Sequence, residues 1–314
     1  MNKIVLRSFS LSFLFLLAHS FLTAQDKKDP AQLRLGYSIR VDSVTPEKMR
    51  YAKSAGIDYI ETSLGAFIDK KTGAFNLSDE EIIEKVKQAK KAADDAGIQI
   101  WSIHMPFSRI IDLSLTDEGE RREVIALQKK TLGFCRILQP KIILFHPSWH
   151  LKLNQREARK QQLIKSATEL NEVVKDMNAT MVIENMLGPE LYLPNGKLER
   201  PLCRTVEETV EIMNRLPRDI YSAVDMNHIK NPENLIRAMG SRLKSVHIAD
   251  GDGEAERHYF PCSGKGANNW TAILAALHEA DYNGPFMFES KYEDVKDFKE
   301  CYDSLYANFV QTLK

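Results

Sequence analysis

Four short apolar runs in the second half of the sequence each end on a side chain that can bind a cation. They are Thr180-Met-Val-Ile-Glu-Asn185 with Glu184, Tyr221-Ser-Ala-Val-Asp225 with Asp225, Lys244-Ser-Val-His-Ile-Ala-Asp250 with His247, and Pro285-Phe-Met-Phe-Glu-Ser290 with Glu289. A single acid at a strand end more often caps a helix or pairs with a lysine than does chemistry. Recurrence at four equivalent places reverses that reading. Three carboxylates facing one cavity repel one another unless protons or a cation sit among them. Carboxylate oxygens with one imidazole suit Mn²⁺, Mg²⁺, Co²⁺ or Zn²⁺, and ligand type alone does not choose among these. Asp225-Met-Asn-His228 adds a second imidazole. His104, before Met105-Pro106, and His146, before Pro147, end two earlier apolar runs and are expected to line the same pocket. Glu61, Trp101 and Trp149-His150 are lesser candidates, for which ordinary packing is the competing role.

These side chains converge only if the runs are parallel, neighbouring strands ending at one rim. The sequence supplies the required alternation. Strand patterns, short and rich in β-branched or aromatic residues, fall at Leu33–Ile39, Ile57–Thr62, Ile98–His104, Lys141–His146, Thr180–Asn185, Ile220–Asp225, Lys244–Asp250 and Pro285–Ser290. Helical patterns separate them, with start signals such as Thr45-Pro46 and Ser78-Asp-Glu-Glu81 and stops at Gly56 and Gly97. Continuous apolar strands alternating with helices imply a parallel sheet covered on its outer face. Polar residues at so many strand ends, without a Gly-rich phosphate turn after the first, favour closure over a doubly wound open sheet. The expected fold is α/β, a single (β/α)8 TIM barrel with its site at the C-terminal rim of the strands.

Residues 1–24 combine a basic start, an apolar core at Leu11–Ala18 and small residues before Gln25. This describes a secretory signal peptide, its core too short for a comfortable membrane span. The expected organisation is a leader at 1–24 and the barrel at 25–314, in an exported, periplasmic protein with no membrane attachment after cleavage. The 43 basic and 43 acidic residues balance, which argues against a polyanionic partner such as nucleic acid. Cys135, Cys203, Cys262 and Cys301 show no CxxC spacing, and mostly free thiols are expected although export permits disulfides. Nothing here decides the oligomeric state, and a homo-oligomer is allowed.

The chain resembles the xylose-isomerase-like superfamily of sugar isomerases and epimerases. That pattern has a strand-five Glu, a strand-six Asp-x-x-His, a strand-seven His, a Pro-Gly-x-Gly-like loop and a strand-eight Glu. Glu184, Asp225 with His228, His247, the loop around Gly264-Lys-Gly266, and Glu289 match it. Similarity to ketose 3-epimerases extends to Glu190, six residues after Glu184, and to Arg257 as the arginine following the strand-seven histidine. Four extra residues precede that arginine, and Cys262-Ser263 interrupts the Pro261 and Gly264 of the loop motif. The resemblance implies a metal-dependent enzyme acting on a small-molecule sugar by proton transfer next to a carbonyl, through a cis-enediolate. Glu184, Asp225, His247 and Glu289 would hold the metal, and Glu184 and Glu289 would also exchange the proton. His228, Arg257, Glu190, His104 and His146 would contact the sugar.

A second resemblance, to endonuclease-IV-like zinc phosphodiesterases, covers His104, His146, Glu184, Asp225, His228, His247, Glu256, His258 and Glu289. It makes Glu256 and His258 additional metal ligands, with Glu256 standing where that family has Asp. Neutral charge, the export signal and the lack of basic and aromatic residues on the rim loops place cleavage of abasic DNA second. Elimination from a ketosugar is a close variant of the first reading. A barrel that binds sugar without catalysis is the third.

Overall fold

The computed structural model describes residues 29–314, so the expected leader at 1–24 lies outside the described residues. From Ala31 to Lys314 the chain forms one unit. Its strands and helices alternate as β1 (Leu35–Arg40), α1 (Pro46–Ser54), β2 (Ile57–Ser63), α2 (Asp79–Asp95), β3 (Gln99–His104), α3 (Glu118–Cys135), β4 (Ile142–Phe145) and α4 (Arg156–Lys175). They continue as β5 (Thr180–Glu184), α5 (Val206–Arg215), β6 (Ile220–Asp225), α6 (Pro232–Met239), β7 (Leu243–His247), α7 (Trp270–Glu279), β8 (Phe286–Phe288) and α8 (Asp297–Gln311). Side chains start several of the helices where the sequence signals them. Thr45 accepts from Lys48 N, Ser78 and Glu81 form a reciprocal capping box, and Thr205 and Asn269 accept from Glu208 N and Ala272 N.

All strand pairs of the main sheet are parallel, in the order β8-β1-β2-β3-β4-β5-β6-β7. Ile248, one residue beyond β7, closes the ring. It bridges Phe288, donates to Met287 O at 2.8 Å and accepts from Glu289 N at 3.2 Å. The result is a (β/α)8 barrel. The register sets Asp225 beside His247 and Glu184 beside Ala223, so the chemically able residues sit at adjoining strand ends. Val182 and Ala223 precede Glu184 and Asp225 by two positions and therefore share their inward face. With Ile142 and Leu144 they form a small apolar cluster distinct from the large layer between sheet and helices.

Three features differ from expectation. Strand β8 is shorter, leaving Glu289 just beyond its end, and β4 stops at Phe145, so His146 opens the following loop. A two-residue antiparallel ribbon pairs Leu151–Lys152 with Leu198–Glu199 and ties the loops after β4 and β5 together. Buried Glu199 anchors it by accepting from Asn154 N at 3.1 Å and Arg156 Nε at 3.2 Å. The expectation of mostly free thiols is corrected for one pair: Cys262 and Cys301 form a disulfide, while Cys135 and Cys203 are free and buried. The pairing joins the loop after β7 to α8 across a Cα–Cα distance of 5.7 Å and 39 residues of sequence. It follows from a tertiary contact that cysteine spacing cannot reveal. Among the described residues, no helix is long and apolar enough to cross a membrane.

Candidate metal centre

Glu184, Asp225 and His247 are the last residues of β5, β6 and β7, and Glu289 follows β8 by one. One ligand atom from each lies within 4.8 Å of the others. His247 Nδ1 is the hub, 2.7 Å from Glu184 Oε1, 2.6 Å from Glu289 Oε2 and 4.0 Å from Asp225 Oδ2. Asp225 and His247 are fully buried, at 0% exposure. The Asn185 amide holds Asp225 in place, accepting from its N–H at 2.8 Å and donating to its carbonyl at 3.2 Å. Asp225 Oδ1 accepts from Asn227 N at 2.6 Å, whereas its Oδ2 is buried with no hydrogen-bond partner.

The electrostatics fit a missing positive charge. Burial pushes Asp225 up to about 6. Burial also acts to raise Glu184 and Glu289, but His247 overrides it, holding Glu289 at about 2 and, with His146, Glu184 well below the usual carboxylate range. Burial acts to lower His247, and Glu289, Glu61 and Glu184 reverse this, keeping it charged well above the usual imidazole range. A proton on His247 thus offsets only part of the charge of the three carboxylates. A divalent cation would replace that proton and fill the free valence of Asp225 Oδ2. Three carboxylates and one imidazole suit such an ion.

Two further ligand groups flank the first, each sharing a carboxylate with it. On one side stand His104, His146 and Glu184; on the other, Asp225, His228 and His258. His104 Nε2 and His146 Nε2 are 3.1 Å apart and lie 3.8 and 2.9 Å from Glu184 Oε2. Glu256 Oε2 sits between His228 Nε2 at 3.2 Å and His258 Nε2 at 2.9 Å. Asn227 organises this second flank. Its Oδ1 accepts from Arg257 N and His258 N, and its Nδ2 donates to Glu256 Oε2. The loop lies tightly against its neighbours. Gly253, at φ +72°, leaves no room for a Cβ beside the Ile229–Lys230 backbone, and a Cβ at Gly266 would collide with the Asp250 carboxylate. Asp250 in turn accepts from Asn268 N and Trp270 Nε1, fixing the return of the chain into α7.

The model of the xylose isomerase-like TIM barrel family matches residues 49–307 of this chain. The chain belongs to that family. An uncharacterised protein of Methanocaldococcus jannaschii is 26% identical over 267 residues, covering 78% of this chain and 96% of its own length. Among solved structures, a D-tagatose 3-epimerase-like protein superposes with a TM-score of 0.69 at 18% identity, over 88% of this chain and 99% of its own. The 3-keto-D-glucoside 4-epimerase of E. coli gives 0.65 at 15% identity, over 90% of this chain and 100% of its own. At these identities the structural likeness is one of fold.

Within this xylose isomerase-like barrel, the expected site residues separate into two sets. Glu184, Asp225, His247, Glu289, His104, His146, His228, Glu256 and His258 meet around the rim. Arg257 and Glu190 do not join them. Arg257 is nearly half exposed with its Nε 3.5 Å from Asp252, and Glu190 is exposed on the loop after β5. Phe107 packs its ring 3.7 Å from that of His146 and 5.9 Å from that of Trp149. Trp149 and His150 belong to a groove of about 960 Å³ that also includes Ile110, Arg109 and Lys152. Residue-by-residue reading missed Asn185 and Asn227, whose amides hold the backbone of Asp225 and the loop that carries Glu256 and His258. Their one signal is position, each directly or two residues after a strand-end acid.

Proposed function

We propose that the chain is a divalent-metal-dependent isomerase or epimerase of a small sugar or sugar derivative, acting by proton transfer next to a carbonyl. One observation carries this reading: two carboxylates, buried Glu184 and partly buried Glu289, both face His247 Nδ1 at a shared strand-end site. Glu184, Asp225, His247 and Glu289 would hold the cation, which supplies Lewis-acid polarisation of the substrate carbonyl and the neighbouring hydroxyl. One of the two glutamates takes the proton from the carbon beside the carbonyl, and the other returns a proton to the second face or the adjacent carbon. Glu184 is buried and Glu289 partly exposed, and the imidazoles of His104, His146 and His228 offer hydrogen bonds to sugar hydroxyls. The epimerase activities named for the structural neighbours support the reading. With the leader expected at 1–24, the reaction would take place outside the cytoplasm.

The two flanking groups favour a second reading, hydrolysis of a phosphodiester by several ions held in a row. Metal content and substrate exchange separate the two. Free ketoses incubated with the Mn²⁺-loaded protein in D₂O are expected to take deuterium at a carbon next to the carbonyl. Absence of exchange on every sugar, together with nicking of abasic DNA and three zinc ions per chain, would overturn the first reading in favour of the second.

A further inference from the structure

Glu61 lies within β2, 1% exposed, and belongs to none of the three ligand groups. Its carboxylate is fully engaged. Oε1 accepts from Ser38 Oγ at 2.9 Å and Oε2 from Ser102 Oγ at 2.7 Å, two hydroxyls that the register sets beside it on β1 and β3. The same two oxygens stand 3.0 and 3.1 Å from His247 Nε2, on the opposite side of the ring from Nδ1. A neutral imidazole that gives Nδ1 to a cation must carry its proton on Nε2. Glu61 is the acceptor waiting for that proton.

The other rim histidines are backed differently. The Nδ1 atoms of His104, His228 and His258 meet the backbone carbonyls of Met105, Asn185 and Glu289, that of His228 also lying 3.6 Å from Asp225 Oδ2, and His146 Nδ1 has no hydrogen-bond partner. At His247, the hub of the central group, a buried carboxylate stands on the side of the ring away from Glu184 and Glu289. A charged acceptor behind an imidazole locks its tautomer and makes the opposite nitrogen a stronger donor.

We propose that Glu61 is a positioning residue. Held by Ser38 and Ser102, it keeps His247 in the Nε2–H form and raises the affinity of Nδ1 for the divalent cation of the central group. This rests on the metal-dependent reading given above, and extends it to a residue that touches neither metal nor sugar.

Calorimetric titration of the full-length protein with Zn²⁺ and Mn²⁺ tests it. Glu61→Gln keeps an acceptor and loses the charge; Glu61→Met loses both. The expected fall in affinity is about tenfold for the first and approaches 100-fold for the second. In the Zn²⁺-loaded, ¹⁵N-histidine-labelled protein, long-range ¹H–¹⁵N spectra should show His247 as the Nε2–H tautomer in the wild type and as a mixture in Glu61→Met. A purely structural Glu61 would lower thermal stability without moving affinity or tautomer. Ser102→Ala, which loosens the carboxylate without removing it, should cost a few-fold in affinity and serves if the Glu61 variants do not fold. Affinities within twofold of wild type across the series, with the tautomer unchanged, would overturn the proposal. A graded loss of affinity without any deuterium exchange on sugars would uphold it and overturn the isomerase reading alone. A wild type that binds no ion would overturn both.

Discussion

The two halves of the rim are built by different means. Glu184, Asp225 and His247 project from paired strands whose ladders leave their Cα positions no freedom. Glu256 and His258 ride on the loop between β7 and α7, held by one amide, a tight glycine and a disulfide. His258 occupies the left-handed region at φ +46°, a conformation that a non-glycine residue keeps only when its surroundings enforce it. The enforcing groups are Asn227 Oδ1 on its N–H and the Glu289 carbonyl on its ring. A strand-borne ligand therefore depends on the whole sheet, and a loop-borne one on a few nameable contacts. Mutation can separate the two halves.

The largest effect is expected in the strand half. Glu289→Gln should reduce sugar deuterium exchange by about 10²–10⁴-fold, the usual contribution of a positioned acid–base group. Glu256→Gln, assayed by the same mass spectrometry, should cost much less. Equal losses would erase the distinction between the halves. Next comes the amide that binds the loop down. Asn227→Ala leaves the backbone N–H groups of Arg257 and His258 without their side-chain acceptor and takes one donor from Glu256, and should destabilise the protein by about 1–3 kcal/mol in urea unfolding. Removing the disulfide with Cys262→Ser and Cys301→Ser should cost a comparable amount, about 2–4 kcal/mol. Central-ion affinity should stay within twofold of wild type after that change. A larger fall would show that the loop also supports the strand half.

The smallest effect is a slope with pH. In the metal-free protein His258 is raised to about 9 from its ordinary 6.5: burial opposes the shift, and Glu256, Asp225 and Glu289 cause it. Its folded value exceeds its unfolded one, so the stabilisation is complete below about 6.5 and is lost as pH rises through about 9. Thermal melts of the metal-free protein should decline across that window, and those of His258→Asn should decline less steeply.

The same contrast explains what the sequence revealed. The barrel was legible because eight apolar runs alternate with capped helices, and strand-end residues are visible wherever a run stops on a charge. Glu184, Asp225, His247 and Glu289 can thus be placed together from the sequence alone. The Cys262–Cys301 bond and the ribbon joining 151–152 to 198–199 were invisible, since both depend on how loops fold over the rim. Arg257 shows the same limit. Its resemblance to the arginine that follows the strand-seven histidine in ketose 3-epimerases suggested the pocket, yet its Nε lies beside Asp252 with nearly half of the side chain exposed. Glu61 was visible as an acid in a strand, but its partner His247 is 186 residues away.

In the proposed site four strand-end side chains meet around one divalent cation. Electron paramagnetic resonance of Mn²⁺ titrated into the metal-free protein tests it most directly, because bound and free ion give different signals. The wild type should remove free Mn²⁺ from solution, and Asp225→Asn, folded to the same circular dichroism spectrum, should leave it free. Undiminished uptake by the variant, or no uptake by the wild type, would contradict the assignment.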